Sequence, residues 1–218
     1  ARFGYVAFAY DMIGVAASYG ADVTAVATSA VREAENRDDL VVRVQRELGL
    51  SIEVISGLEE ARLIFQGVRH AVSMVDRRAL VVDIGGGSTE FVVGEQGELV
   101  EARSLRLGAI RLTERFLPPG GDAPPPAAAV AECRTFLQGA LIGVARDLGG
   151  HRPELAVGSS GTIESIALMV AADRGVDLRQ INGFGKWNFR RNKQQPTGSV
   201  KFPILFFVRP AEDAERSV

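Results

Sequence analysis

The sequence predicts a cytosolic α/β protein built as two domains. Three observations carry that expectation. Strands and helices alternate through the first part of the chain, the alternation changes to consecutive strands around Gly85-Gly86-Gly87, and 46% of the 218 residues are hydrophobic against 24% charged. A chain of this size can bury roughly 70% of its unfolded surface, which excludes a disordered tail, a collagen-like repeat or a disulfide scaffold. With 25 basic and 27 acidic side chains, the formal charge of -2 gives no reason to expect nucleic acid or an anionic membrane as partner. The single cysteine, Cys133, closes no intrachain disulfide, and paired cysteines for zinc are absent. No apolar run approaches the ~20 residues of a membrane helix and no signal peptide opens the chain, so a cytoplasmic location without a membrane partner is expected.

Taken in order, Phe3 to Tyr19 has apolar residues at helical spacing with Gly20 as its stop. The β-branched run Val23 to Ala27 reads as a strand, and Ser29 is placed to cap a helix reaching about Leu48, where Gly49 ends it. Ile52 to Ile55 is a second strand. From Gly57 onward Leu58, Ala61, Phe65, Val68 and Val72 form one stripe of an amphipathic helix. Ala79 to Val82 suits a strand buried on both faces, followed by strands at Thr89 to Val93 and Leu99 to Leu105. The proline-rich stretch Pro118 to Pro126 is a loop between two helical patterns. Glu132 to Leu148 is helical, Glu154 to Val157 a strand, and Thr162 to Ala172 helical. A domain boundary is placed near Arg77.

The chemistry centres on Asp83-Ile84-Gly85-Gly86-Gly87-Ser88-Thr89-Glu90. Glycines let backbone N–H groups approach a phosphate closely and point at it. If the turn is centred on Gly86-Gly87, pairing runs Gly85–Ser88, Ile84–Thr89 and Asp83–Glu90. Two facing carboxylates repel unless a cation lies between them, and magnesium, bound by one or two carboxylates plus phosphate oxygens and waters, resolves the conflict. The alternative is a tight glycine hairpin with solvated acids. Ser56 and Glu59 have capping-box spacing, which leaves Glu60 at the margin of the apolar stripe. Half-desolvation there would raise its pKa, as a general base needs, but on spacing alone Glu60 is an ordinary first-turn acid favoured by the helix dipole. Arg32 is expected in the first turn of a helix, the wrong end for a cation, and either a bound anion or solvent relieves that. Gly158-Ser159-Ser160-Gly161-Thr162 joins a strand to a helix as a second anion cradle, without the pattern of a serine-hydrolase elbow or the Lys of a P-loop. His70 and His151 have no spaced partners.

These stretches, together with Ala27-Thr28-Ser29-Ala30-Val31-Arg32 and Val54 to Ile64, resemble the exopolyphosphatase and guanosine pentaphosphate phosphohydrolase family from about residue 1 to Gly183. The resemblance implies an actin-like, ribonuclease H-like α/β fold of two domains closing over a phosphate cleft. It divides the chain into a partial first domain (1–77), a second domain (78–183) and a tail (184–218). It implies Glu60 as catalytic base, Asp83 and Glu90 as magnesium-side acids, and a phosphate cradle of Gly85, Gly86, Gly87 and Ser88 with Arg32, Ser159, Ser160 and Gly161. The substrate implied is polyphosphate or guanosine pentaphosphate, hydrolysed at its terminal phosphoanhydride with Mg2+. Family members open on a further glycine-containing phosphate motif upstream of Ala1, so the resemblance implies an incomplete gene product.

Two other functions stay open. One is a sensor that binds polyphosphate or guanosine phosphates without turnover; the other is a sugar kinase or chaperone-type ATPase of the same superfamily, which the Glu60 segment disfavours. Oligomeric state, a homodimer included, is left open. Residues 1 to 185 hold 18 Arg and no Lys, whereas 186 to 218 hold 3 Lys and 4 Arg; a flexible C-terminal tail would explain the break, but its abruptness favours foreign or frame-shifted sequence. Phe202 to Val208 would then be an exposed apolar stretch prone to aggregation.

Overall fold

The computed structural model describes residues 24–72, 74, 77–117, 124–173, 186–188 and 203–206. The expected helix over Phe3 to Tyr19 lies outside them, as does most of the tail. The chain divides into two compact units, Ala1–Ser56 and Gly57–Val218.

In the first unit, β1 (Ala25–Ala27) pairs in parallel with β2 (Ile52–Val54), Ala25 opposite Ile52. The single helix expected over Ser29 to Leu48 is two helices, α1 (Ser29–Arg32) and α2 (Arg37–Leu48). The N-cap of α1 is Thr28 rather than Ser29, whose hydroxyl instead donates to Glu33 Oε1 at 3.0 Å. Gly49 closes α2 in the left-handed conformation at φ 67°, as its position in the sequence requires.

In the second unit, α3 (Gly57–Ala71) lies on a sheet of β3 (Ala79–Ile84), β4 (Thr89–Glu95), β5 (Glu98–Leu105), β6 (Leu155–Ser159), β7 (Lys186–Asn188) and β8 (Pro203–Phe206). Strand order is β5-β4-β3-β6-β8-β7. β3, β4 and β5 are antiparallel neighbours, while β6 is parallel to β3 and β8 parallel to β6. Two antiparallel hairpins followed by parallel additions on the other side of the first strand make the ribonuclease H-like sheet expected above. The tail residues 203–206 continue that sheet along β6.

Both faces are covered, which is why β3 is apolar from Ala79 to Val82. On one face Ala61, Phe65 and Val68 of α3, with Val72 beyond it, are buried against Val81, Val92, Leu155 and Val157. Leu58, assigned to the same stripe from its spacing, is instead 60% exposed. On the other face Val93, Leu80, Phe91 and Leu105 meet Val144 and Leu148 of α5 (Ala127–Gly149). α4 (Ala109–Phe116) follows β5, and α6 (Ser160–Asp173) follows β6 directly. Because α3 shares its core with β3, β4 and β6, the candidate base rides on the same compact unit as the glycine turn. The boundary placed near Arg77 therefore falls inside this unit.

The expectation of no membrane-length apolar run needs correcting. α5 is long and apolar enough to cross a membrane by length and composition, one such helix among the described residues. It carries Glu132, Arg134, Arg146 and Asp147, and packs Val144 and Leu148 on the sheet.

Candidate functional site

The site is a polar row running across the ends of four strands. Asp83 on β3 is opposite Glu90 on β4, as the hairpin count requires, with Ile84 opposite Thr89. Glu90 is in turn opposite Ser104 on β5, and Asp83 is opposite Ser159 on β6. Directly paired residues share a face, so Ser104, Glu90, Asp83 and Ser159 line one side of the sheet. They share it with Val81, Val92 and Val157, two positions back along each strand, and these are the residues that pack on α3. The first turn of α3 thus brings Glu60 to the same side as the row.

Glu90 is 1% exposed, and Ser104 Oγ donates to its Oε1 at 2.7 Å. Burial holds its carboxyl above the ordinary 4.5; hydrogen bonds from Ser104 and Ser88 oppose that, and the charges of Glu60 and Asp83 push it further up. Asp83 is likewise raised by burial, with a hydrogen bond from Ser159 working in the other direction. The charges of Glu60 and Asp83 therefore both reach Glu90, and burial makes ionisation of Asp83 and Glu90 costly. Glu60 itself is half-buried. Its neighbour Glu59 holds Arg62 in a fork, at 2.8 and 2.6 Å.

The glycine turn closes the row. Gly85 N donates to Ser88 O at 2.9 Å, and the carbonyls of Gly85, Gly86 and Gly87 accept from residues 108 to 111. Among the described residues, no hydrogen-bond partner is found for the N–H groups of Gly86, Gly87 and Ser88. The Gly158–Gly161 turn behaves differently. Ser160 adopts φ 81°, and its hydroxyl donates to Ile84 O at 2.7 Å. The hydroxyls of Ser88, Ser159 and Ser160 thus bond to Glu90, Asp83 and the end of β3.

Arg32 belongs to the first unit. It is the last residue of a one-turn helix rather than part of the first turn of a long one, so the expected conflict with the helix dipole does not arise. Its Nη1 donates to Ile55 O at 2.9 Å. His70 is exposed with Nδ1 against Gln66 O, and His151 accepts from Arg78 through its backbone carbonyl. Among the described residues, no group of three or more His, Cys, Asp or Glu side chains is placed to hold a metal. Two carboxylates with phosphate oxygens and waters are nonetheless a sufficient set for magnesium, and two facing, burial-raised acids fit a cation.

Sequence reasoning missed Ser104, Gly108 and Arg111. Ser104 is reached only through the β4–β5 register, and Gly108 with Arg111 only through their bonds to the glycine turn.

The ribonuclease H-like sheet thus sets an acid near the end of its central strand, beside a glycine turn with bare amides. The Ppx/GppA phosphatase family matches residues 11–185, and the chain belongs to that family. It is 42% identical over 160 residues to Exopolyphosphatase 1 of Mycobacterium leprae (72% of this chain, 46% of the relative). To Exopolyphosphatase 1 of Mycobacterium tuberculosis it is 41% identical over 153 residues, 70% of this chain and 44% of the relative. Among solved structures, an exopolyphosphatase from Cytophaga hutchinsonii is similar with TM-score 0.69 and 31% identity over 80% of this chain and 57% of that one. The Aquifex aeolicus member of the Ppx/GppA family is similar with TM-score 0.60 and 29% identity over 82% of this chain and 56% of that one. The chain spans about half the length of the curated relatives it matches.

Proposed function

We propose that the chain carries the phosphate-binding and water-activating half of an enzyme that hydrolyses the terminal phosphoanhydride of polyphosphate. The observation that carries this reading is the convergence of Glu60, Asp83 and Glu90 beside a turn with three unpartnered N–H groups. Phosphoryl transfer depends on positioning and on neutralising charge spread over the equatorial oxygens, and such a site offers both. Glu60 orients a water for in-line attack and takes its proton. The amides of Gly86, Gly87 and Ser88 receive the terminal phosphate, with the Ser159–Gly161 turn as a further anion contact. Polyphosphate is preferred over guanosine pentaphosphate because the relatives above are named exopolyphosphatases.

Asp83 and Glu90 are the residues that would hold Mg2+, which supplies charge neutralisation at the phosphate oxygens. Since burial raises the pKa of Glu90, ionisation costs native stability: the native state is favoured below the ordinary 4.5, and that advantage is lost as pH rises through the raised value. Glu90→Gln should therefore unfold at a higher temperature than wild type at pH 7, with the difference vanishing by about pH 4. Added magnesium should raise the wild-type midpoint and leave Glu90→Gln unmoved. A wild-type midpoint indifferent to magnesium removes the metal from the proposal.

The direct test is phosphate release from polyphosphate in the presence of magnesium. Glu60→Gln should lower turnover by roughly 10²-fold or more with little change in stability. Wild-type rates in that variant would overturn the role of Glu60, and polyphosphate binding without release would make the site a sensor.

A further inference from the structure

The glycine turn has one bond of its own, from Gly85 N to Ser88 O, and its three glycine carbonyls are held by the segment after β5. Thr89 Oγ1 donates to Leu107 O at 2.8 Å, which docks that segment beside the start of β4. Gly108 N then donates to Gly87 O at 3.2 Å, Ala109 N to Gly85 O at 2.9 Å, and Ile110 N and Arg111 N to Gly86 O at 3.0 and 3.2 Å. Arg111 Nε adds a second bond to Gly87 O at 3.0 Å. The first N–H groups of α4, which a helix leaves without internal partners, are thereby used on the loop.

The consequence follows from peptide geometry. The chain contains no cis peptide among its described residues, and in a trans peptide the C=O of one residue and the N–H of the next point in opposite directions. Capturing the carbonyls of Gly85, Gly86 and Gly87 on one side therefore turns the N–H groups of Gly86, Gly87 and Ser88 to the other. These are the three amides without partners. Approach this close requires a residue without a side chain: a Cβ on Gly108 would collide with the Gly86 carbonyl group and Gly87 N.

We propose that Gly108 and Arg111 are positioning residues, which clamp the carbonyl side of the Gly85–Ser88 loop so that its three amides face outward as a preformed anion receptor. The inference rests on the phosphate reading above for what the receptor takes. Arg111 acts from behind the loop, through Gly87 O, and touches no substrate.

Arg111→Met keeps the side-chain stem and removes the donor, and Arg111→Lys restores a cation with an N–H. Two readouts on the whole chain separate the clamp from the ligand. The first is amide hydrogen exchange at Gly108, Ala109 and Ile110, whose protection reports the clamp whether or not anything binds. The second is affinity for tripolyphosphate with magnesium. Arg111→Met should lose about tenfold in both, the loss of one charge-assisted hydrogen bond, while sheet amides such as Val81 and Val92 stay as protected as in wild type. Arg111→Lys should recover part of each. Gly108→Ala should abolish protection at the same three amides. Wild-type protection in Arg111→Met overturns the clamp. Failure of the wild-type chain to bind tripolyphosphate overturns the phosphate reading, with the exchange results still deciding whether the clamp exists.

Discussion

Two glycine-bearing turns leave neighbouring parallel strands of the larger sheet and hold their shapes by opposite means. The turn after β3, Gly85 to Ser88, is clamped from outside by residues 108 to 111 and carries its free donors on the backbone. The turn after β6 runs straight into α6 and is held by its own side chains: Ser160 sits at φ 81° with its hydroxyl on Ile84 O, and Gly158 lies under Ile163. Because Ile84 ends β3, the second turn also buttresses the first. A strand-to-helix turn rich in Gly and Ser looks like a phosphate cradle in sequence. Here its serine hydroxyls have internal partners, whereas the outside-clamped turn is held through its carbonyls and presents backbone donors.

The contrast can be broken most sharply at Gly158. A Cβ there would lie 2.5 Å from Ile163 Cγ2, the branch methyl of a β-branched residue rather than the end of a flexible chain. Gly158→Ala should destabilise the protein by about 1–3 kcal/mol in urea denaturation, as overpacking does. An unchanged midpoint would mean that the second turn yields as easily as the first.

Ser160 sharpens the same comparison at smaller scale. Ser160→Ala loses the bond to Ile84 O and retains φ 81°, at a cost of about 1 kcal/mol. Ser160→Gly loses the same bond but relieves left-handed strain of about 1 kcal/mol, so its midpoint should stay near that of wild type. Equal losses in the two variants would show that the backbone there carries no strain.

Which parts of this were legible in the sequence follows from how local each signal is. The Asp83–Glu90 pairing was, because a two-residue turn sets the register of its own hairpin. The Ser104 partner was not. Counting back from the Gln96-Gly97 turn, which pairs Glu95 with Glu98, puts Arg103 opposite Glu90; the register shift between Val93 and Gly94 moves the pairing by one and brings Ser104 there instead. A bulge replaces the expected arginine with a hydroxyl, and nothing in the spacing announces it. The break between α1 and α2 was hidden for a similar reason, since Glu33 to Asn36 contains neither Gly nor Pro. The clamp on the glycine turn depends on contacts 20 residues and more apart, beyond any local periodicity. The alternation of strands and helices, and the change to consecutive strands at the glycine turn, were legible because they rest on periodicity alone.

The smallest effect belongs to Gly86, inside the motif that looks least tolerant. Its φ is not in the left-handed region, so no conformational penalty awaits a side chain. A Cβ there would meet Ile110 Cδ1 at 2.9 Å, but that is the free end of a side chain 62% exposed to solvent, which can swing aside. Gly86→Ala should therefore cost less than about 1 kcal/mol, against the larger loss at Gly158. Urea midpoints of the two variants measured side by side decide this. A loss at Gly86 equal to that at Gly158 would mean that the clamped loop is as closely packed as the turn beside it, and that the outward face of its amides depends on the glycines themselves as much as on the segment behind them.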